Sequence, residues 1–174
     1  MKNDDNEHSD AQISKKILTK VQTQEERQLL HPLELNDKLA FETIKTVRLD
    51  FLTEEAASPI PRCQALPSHA FSRLNGRSIL VSISHGWFFQ AHPDPYGAKL
   101  DLIKNVFAPR LRERYPHTDI QVFYDYLSLP QGPRNSDEDV LYFDGIERLT
   151  SIYIYADVCL FLEDLEFPKV DMTI

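Results

Sequence analysis

Residues 78–87, SILVSISHGW, decide the fold class of this 174-residue chain. The run follows the turn dipeptide Asn75-Gly76 and is rich in residues that favour β-structure, which indicates a short strand. Two further runs of this kind are IQVFYDY at 120–126 and DVCLFL at 157–162. Nearly continuous apolar runs are typical of strands whose two faces are both covered. The three runs therefore predict parallel strands at the centre of an α/β domain.

The segment between the first two runs has a helical pattern. Asp94 is expected to cap its start, with Pro95 at the first helical position, where a missing N–H costs nothing. Pro109 falls inside the pattern and is expected to kink or split the helix. The residues predicted to face the sheet are Leu100, Ile103, Phe107 and Leu111.

A second crossover helix is predicted from about Ser136. Its acidic first turn, Asp137 to Asp139, suits the positive end of the helix dipole and needs no functional explanation. The apolar stripe consists of Tyr142, Ile146, Leu149, Tyr153 and Ala156. Two such helices between three strands predict a parallel sheet with right-handed crossovers.

The chain before the first strand has a different composition. Residues 1–10 contain no large apolar side chain after Met1 and predict a disordered tail. Residues 11–52 predict a helical segment, in which the second helix begins at Asn36 and ends near Thr53. The apolar face of that helix consists of Ala40, Ile44, Val47 and Phe51. Residues 53–69, rich in proline, predict an extended connector, which leaves 70–174 as the α/β domain.

Charge and cysteine content narrow the function classes. The formal net charge of −8 argues against a nucleic-acid partner, since phosphate contacts need clustered Lys and Arg. Cys63 and Cys159 are too few for a disulfide framework or a CxxC metal site. No stretch is apolar enough to span a membrane, and the N-terminus does not resemble a signal peptide. These features predict a cytoplasmic protein, or one delivered into a host cytoplasm by an unrecognised route.

Candidate ligand-binding residues follow the first two strands, because the carboxyl ends of parallel strands gather loops and helix N-termini. After the first strand come Ser84, His85, Gly86 and Trp87, which suit an anionic or aromatic ligand. After the second come Asp125, Tyr126 and the loop from Leu127 to Gln131.

Structural readings of these residues stay open. Trp87 can equally plug the top of the core, and Asp125 can simply accept loop N–H groups. His85, His92 and Asp94 offer three metal donors, but their spacing fits no zinc pattern, so no metal site is predicted.

The order SILVSISHGW, amphipathic helix, VFYDYLSLPQGPR, helix and IYIYADVCLFL resembles the first half of a TIR domain. The D-x-L-S-L-P-Q stretch followed by I-Y-x-x-A is similar to the heterokaryon-incompatibility domain. The resemblance covers residues 76–165. It implies a sheet of flavodoxin-like order with flanking helices, preceded here by the helical N-terminal segment.

The resemblance also implies a function. Some TIR domains hydrolyse NAD or convert it to cyclic ADP-ribose species, whereas others only self-associate or bind another TIR domain. The implied nucleotide pocket comprises Ser84, His85, Gly86 and Trp87, with Asp125, Tyr126 and the loop Leu127–Gln131 as a flap. NAD would be a substrate, and no cofactor is implied.

One departure concerns catalysis. The enzymes of the family carry a glutamate, often in a W-C-x-x-E motif, on the helix after the third strand. This chain has no such motif, and its single Trp is Trp87. Glu163 and Glu166 are weak substitutes, and we expect the domain to be incomplete at its C-terminus.

Two alternatives to an NAD glycohydrolase or cyclase therefore stay open. One is a non-enzymatic interaction module that assembles through the loop 127–134 and the second crossover helix. The other is a nucleoside transferase-like enzyme.

Overall fold

A computed structural model describes residues 44–75 and 77–162 of the chain. The predicted tail at 1–10, the predicted helices up to residue 43, and Glu163 and Glu166 lie outside this part. Among the described residues, no helix has both the length and the apolar character needed to cross a bilayer.

A mixed five-stranded sheet with flanking helices forms the core of the described chain. Its strands are β1 (Thr46–Arg48), β2 (Phe71–Ser72), β3 (Ile79–His85), β4 (Ile120–Tyr124) and β5 (Val158–Leu162). They lie side by side in the order β2-β1-β4-β3-β5. Strand β3 pairs in parallel with both β4 and β5, so the three predicted strands and their parallel arrangement are confirmed. Across the sheet, the second of the three parallel strands comes first, then the first, then the third.

The expectation of a purely parallel sheet is wrong, because β1 pairs antiparallel with β4 and with β2. Residues 46–48 were expected to continue the helix that starts at Asn36. Instead, Thr46 and Val47 are both buried, and a strand buries neighbouring residues on its two opposite faces. A helix, α1 (Leu49–Glu54), follows directly.

The proline-rich stretch 53–69 is packed rather than extended. It contains two short 3₁₀ turns, Cys63–Ala65 and Ser68–Ala70. Ile60 and Leu66 are buried in the same apolar cluster as Val81 of β3. The stretch therefore contributes to the core, whereas the division of the whole chain into domains stays a prediction.

The first crossover runs through α2 (Ala98–Leu102), one π turn (Ile103–Phe107) and α3 (Ala108–Arg114). The four residues predicted to face the sheet are all buried in one cluster, as expected. Pro109 lies in the first turn of α3, directly after the π turn, where its missing N–H is tolerated.

Asp94 caps the crossover helix from outside it. Its Oδ2 accepts hydrogen bonds from the backbone N–H groups of Lys99 and Leu100, both at 3.0 Å. The N-cap position itself belongs to Gly97, whose φ of 77° favours glycine. The capping role predicted for Asp94 is thus confirmed, but the helix starts three residues later than Pro95.

The second crossover contains α4 (Asp125–Ser128), α5 (Ser136–Glu147) and α6 (Leu149–Tyr155). A capping box between Asn135 and Glu138 starts α5 at the predicted residue. Four residues of the predicted stripe pack in the second core cluster: Tyr142, Leu149, Tyr153 and Ala156. Ile146 is instead exposed, because α5 approaches the core through Gly145, which lies against Leu129.

Candidate functional site

His85 and Asp125 meet at the carboxyl edge of the parallel strands. His85 is the last residue of β3, and Asp125 follows β4 directly. The imidazole Nε2 lies 2.8 Å from Asp125 Oδ1. The His85 side chain is 1% exposed, whereas that of Asp125 is 33% exposed. The pair therefore has a buried imidazole and a carboxylate that reaches the surface.

Lys99 of α2 lies beneath this pair. It is fully buried, and its Nζ is 3.2 Å from His85 Nδ1. The same amine donates to the carbonyl oxygen of Pro93 at 2.8 Å and to that of Gly86. Burial lowers the pKa of Lys99, while the nearby carboxylates of Asp94 and Asp125 act in the opposite direction. Asp125, His85 and Lys99 thus form a continuous chain of contacts from the surface into the core.

Sequence reasoning missed Lys99. One signal was available, because a lysine in the first turn of a helix is disfavoured by the helix dipole unless something compensates. Lys99 also precedes Ile103 and Phe107 by one and two turns on the buried face. A buried amine in that position needs acceptors, and the carbonyl groups of the loop 86–93 provide them.

Tyr124 closes the other side of the imidazole. Its ring packs edge-on against His85, with 4.3 Å between the centroids. Burial raises the pKa of Tyr124, and the negative charges of Asp125 and Asp94 raise it further, so the hydroxyl stays neutral. Both the Tyr124 hydroxyl and Asp94 Oδ1 are buried without a hydrogen-bond partner within residues 44–75 and 77–162. Unsatisfied buried polar atoms are costly, so each of them needs a physical explanation.

Aromatic rings surround the exposed part of the site. Trp87 packs edge-on against Tyr126 at 5.7 Å between centroids, and Phe89 packs similarly against Tyr96 at 5.9 Å. Trp87, Phe89 and Tyr96 are between 41% and 50% exposed. Trp87 therefore does not fill the core, and its ring is accessible beside Tyr126, the residue after Asp125. Gly86 leaves open space where a Cβ would stand.

The other predicted pocket residues are placed differently. Ser84 lies on β3 next to His85, so its side chain faces the opposite side of the sheet. Leu127 is fully buried in the core. The Gln131 side chain donates to the backbone carbonyls of Asp125 and Leu129. The segment 127–131 thus has the contacts of a packed turn rather than of a flap.

His92 and Asp94 are engaged in structural contacts. The Nε2 of His92 donates to the Ile60 carbonyl at 2.9 Å, and its Nδ1 accepts from the Asp94 N–H at 2.9 Å. The ring of His92 also packs against Tyr126, with 4.8 Å between centroids. Across the described ranges, no group of three His, Cys, Asp or Glu side chains is arranged to hold a metal ion.

An apolar groove of about 240 Å³ lies away from this edge, between α3 and β5. Its lining includes Leu111, Tyr115, Val158 and Leu160. It lacks the acid and imidazole groups of the strand edge, so the His85–Asp125 pair with its aromatic surround is the candidate site. In comparisons with known proteins, no family model, curated protein or solved structure matches this chain.

Proposed function

We propose that this domain is a TIR-like nucleotide-recognising domain that binds NAD at the carboxyl edge of β3 and β4 and hydrolyses its N-glycosidic bond. The observation that carries the proposal is the state of Asp125. Its Oδ1 accepts from His85 Nε2 and from the Tyr126 N–H, whereas no described residue donates to its Oδ2. An oriented carboxylate with one uncommitted oxygen is thus available to a ligand.

The surroundings of Asp125 favour a ligand with a planar ring next to a sugar. The accessible indole of Trp87 can stack on nicotinamide or adenine. Asp125 Oδ2 can then accept a ribose hydroxyl, a hydrogen bond strengthened by its charge. The open space at Gly86 allows the ligand to approach the backbone.

In the proposed reaction, the bond between ribose C1′ and the nicotinamide nitrogen breaks. The ring nitrogen takes the bonding electron pair and nicotinamide leaves as a neutral molecule, so no acid has to protonate it. The Asp125 carboxylate stabilises the positive charge that develops on the ribose. Water adds to C1′, and its proton passes to Asp125 and then to solvent.

In this proposal Asp125 takes the part of the glutamate found in related enzymes. Glu163 and Glu166 stay secondary candidates, outside the described residues. The same carboxylate also fits the nucleoside transferase-like alternative, in which a second base instead of water accepts the ribose. The two reactions differ in whether adding a free base changes the product.

The test uses the purified full chain incubated with NAD, with nicotinamide followed by chromatography for several hours. Asp125→Asn keeps an oxygen for His85 but removes the charge, and is expected to slow release by about 100-fold or more. Asp119→Asn, at the other end of β4, is the matched control and is expected to retain the rate. Unchanged release by Asp125→Asn, or no release by the wild-type chain, would refute the enzymatic proposal.

Binding is measured separately by fluorescence. Trp87 is the only tryptophan, so its emission reports on this edge alone. We expect NAD to quench it in a saturable manner, also in Asp125→Asn. Quenching without nicotinamide release would support nucleotide binding and refute the proposed hydrolysis.

A second candidate function, the interaction module, is favoured by the surface of α5. Val140, Leu141, Phe143 and Ile146 are exposed on this helix, whereas Leu127 and Leu129 of the predicted assembly loop are buried. Clustered exposed apolar residues are typical of protein-binding surfaces. Light scattering against concentration tests this function: we expect association that Phe143→Ser abolishes. A wild-type chain that stays monomeric at all concentrations would argue against self-association.

A further inference from the structure

The contact between Lys99 and His85 limits where the protons of this site can lie. His85 Nδ1 lies 3.2 Å from Lys99 Nζ, so only one of these two atoms can donate in the contact. Either Lys99 is an ammonium that donates to an unprotonated Nδ1, or His85 is an imidazolium that donates to a neutral amine. In both arrangements Nε2 carries a proton toward Asp125 Oδ1.

We infer that Lys99 holds the positive charge at this site and keeps His85 as the neutral tautomer protonated at Nε2, which makes Lys99 the positioning residue for the proposed carboxylate Asp125. The consequence for catalysis depends on the proposed function of Asp125. The protonation pattern itself follows from the contacts around Lys99.

The number of acceptors matches an ammonium group. Lys99 Nζ has three: the carbonyl oxygens of Gly86 and Pro93, and His85 Nδ1. An ammonium has three N–H donors, so each donor has a partner. A neutral amine has only two donors and would have to turn its lone pair toward His85.

A fourth contact also favours a cation on Lys99. Its Nζ lies 4.2 Å from the centre of the Phe88 ring, within range of a cation–π interaction. A lysine amine is more basic than an imidazole by about four pH units in model peptides. Burial acts against the charged amine, but Asp94 and Asp125 act in its favour.

The titratable groups around His85 come from four parts of the fold. Tyr124 belongs to β4, Asp125 and Tyr126 to α4, Lys99 to α2, and His92 and Asp94 to the loop before it. Tyr124 is held neutral, and His92 has its Nε2–H on the Ile60 carbonyl and its Nδ1 on a backbone N–H. Lys99 is therefore the group that competes with His85 for the proton.

The experiment is a long-range ¹H–¹⁵N spectrum of the histidine rings, with His85 assigned by the signal lost in His85→Gln. In the wild-type chain between pH 6 and 8, we expect Nε2 protonated and Nδ1 unprotonated. In Lys99→Met at pH 6, we expect both nitrogens protonated, because the Gly86 carbonyl lies 3.2 Å from Nδ1 and can accept its proton. The positive charge would thus move from Lys99 to His85.

Lys104→Met is the matched control. Lys104 lies on the same crossover helix and donates to the Ala56 carbonyl at 2.9 Å, away from His85. We expect it to leave the His85 signals unchanged. A purely structural role of Lys99 would likewise leave the ring nitrogens of a folded Lys99→Met unchanged.

The spectrum of the wild-type chain is decisive even where Lys99→Met fails to fold. Two protonated nitrogens on His85 at pH 8 would overturn the inference, as would an unchanged His85 spectrum in folded Lys99→Met. The measurement needs no nucleotide, so its outcome is independent of whether the chain releases nicotinamide.

Discussion

An aspartate lies next to β4 at each end of the parallel strands, and the two carboxylates differ in their hydrogen-bond partners. At the amino end, Asp119 accepts from Ser78 Oγ at 2.8 Å through Oδ2, and Gln121 Nε2 donates to both of its oxygens. At the carboxyl end, Asp125 has one oxygen fixed by His85 and the Tyr126 N–H, and the other uncommitted.

The difference separates a structural carboxylate from one available to a ligand. At the amino end Ser78, Asp119 and the buried Gln121 satisfy one another, although Arg48 Nε, on the residue paired with Gln121, is buried without a partner among the described residues. At the carboxyl end a lysine, an aspartate and a tyrosine are buried, and Asp94 Oδ1 and the Tyr124 hydroxyl have no partner among the described residues. Buried polar atoms without partners cost stability.

The largest effect is expected from removing a buried charge at the carboxyl end. Asp94→Ala deletes the acceptor of two helix N–H groups and a negative charge near Lys99. We expect a loss of about 3 kcal/mol in the free energy of unfolding. Ser78→Ala, at the amino end, is expected to cost under about 1 kcal/mol. Urea unfolding measures both, and equal losses would remove the energetic difference between the two ends.

The next effect concerns the loop that carries the carboxyl-end residues. Gly97 has a positive φ, and a Cβ there would collide with Ser58 Oγ. Gly97→Ala is therefore expected to cost about 2 kcal/mol. Gly86→Ala, which meets open space, is expected to cost under about 1 kcal/mol. Thermal unfolding of the two variants compares them, and a tolerated Gly97→Ala would show that the positive φ at this position does not require glycine.

A smaller effect is expected on affinity. Trp87→Ala removes the accessible ring and should weaken NAD binding about fivefold to tenfold, whereas Trp87→Phe keeps a stacking surface and should lose less. Arg77→Ala, in the exposed turn at the amino end of β3, should leave affinity unchanged. Calorimetric titration is the measurement, because two of the variants lack the fluorescent residue. If only Arg77→Ala weakened binding, the nucleotide would bind at the amino end of the strands instead of the carboxyl end.

The smallest effect is a change in the pH dependence of stability. Burial, with Asp125 as the next cause, raises the pKa of Tyr153 to about 12 from 10.0. The folded chain thus holds this proton more tightly than the unfolded chain. The resulting stability is present below pH 10 and is lost as the pH rises toward 12.

Tyr153→Phe should therefore make the fall in stability above pH 10 less steep. Tyr96→Phe is the control, because it removes a hydroxyl from a half-exposed ring. We expect it to leave the slope of stability against pH unchanged. Urea midpoints between pH 8 and 11 provide the comparison. Identical slopes in Tyr153→Phe and the wild-type chain would show that the Tyr153 hydroxyl is not held neutral by the fold.

Sequence alone determined the three parallel strands and the buried face of the first crossover helix. Apolar runs of strand length, and a spacing of three, four and four residues in the helix, indicate directly which side chains leave water. It also placed His85 and Asp125 at the same sheet edge, because parallel strands with helical crossovers bring their carboxyl ends together.

Tertiary structure alone decided the two antiparallel strands, β1 and β2, and the position of Lys99 beneath the His85–Asp125 pair. The spacing of Val47 and Phe51 fits a helix, but Thr46–Arg48 pairs with β4 because hydrogen bonds to a distant strand outweigh local periodicity. Lys99 becomes part of the site only when the loop 86–93 folds its carbonyl groups over the amine. The local sequence pattern predicts which residues are buried. It does not predict the hydrogen-bond partners that a buried charge needs, because these come from other segments of the chain.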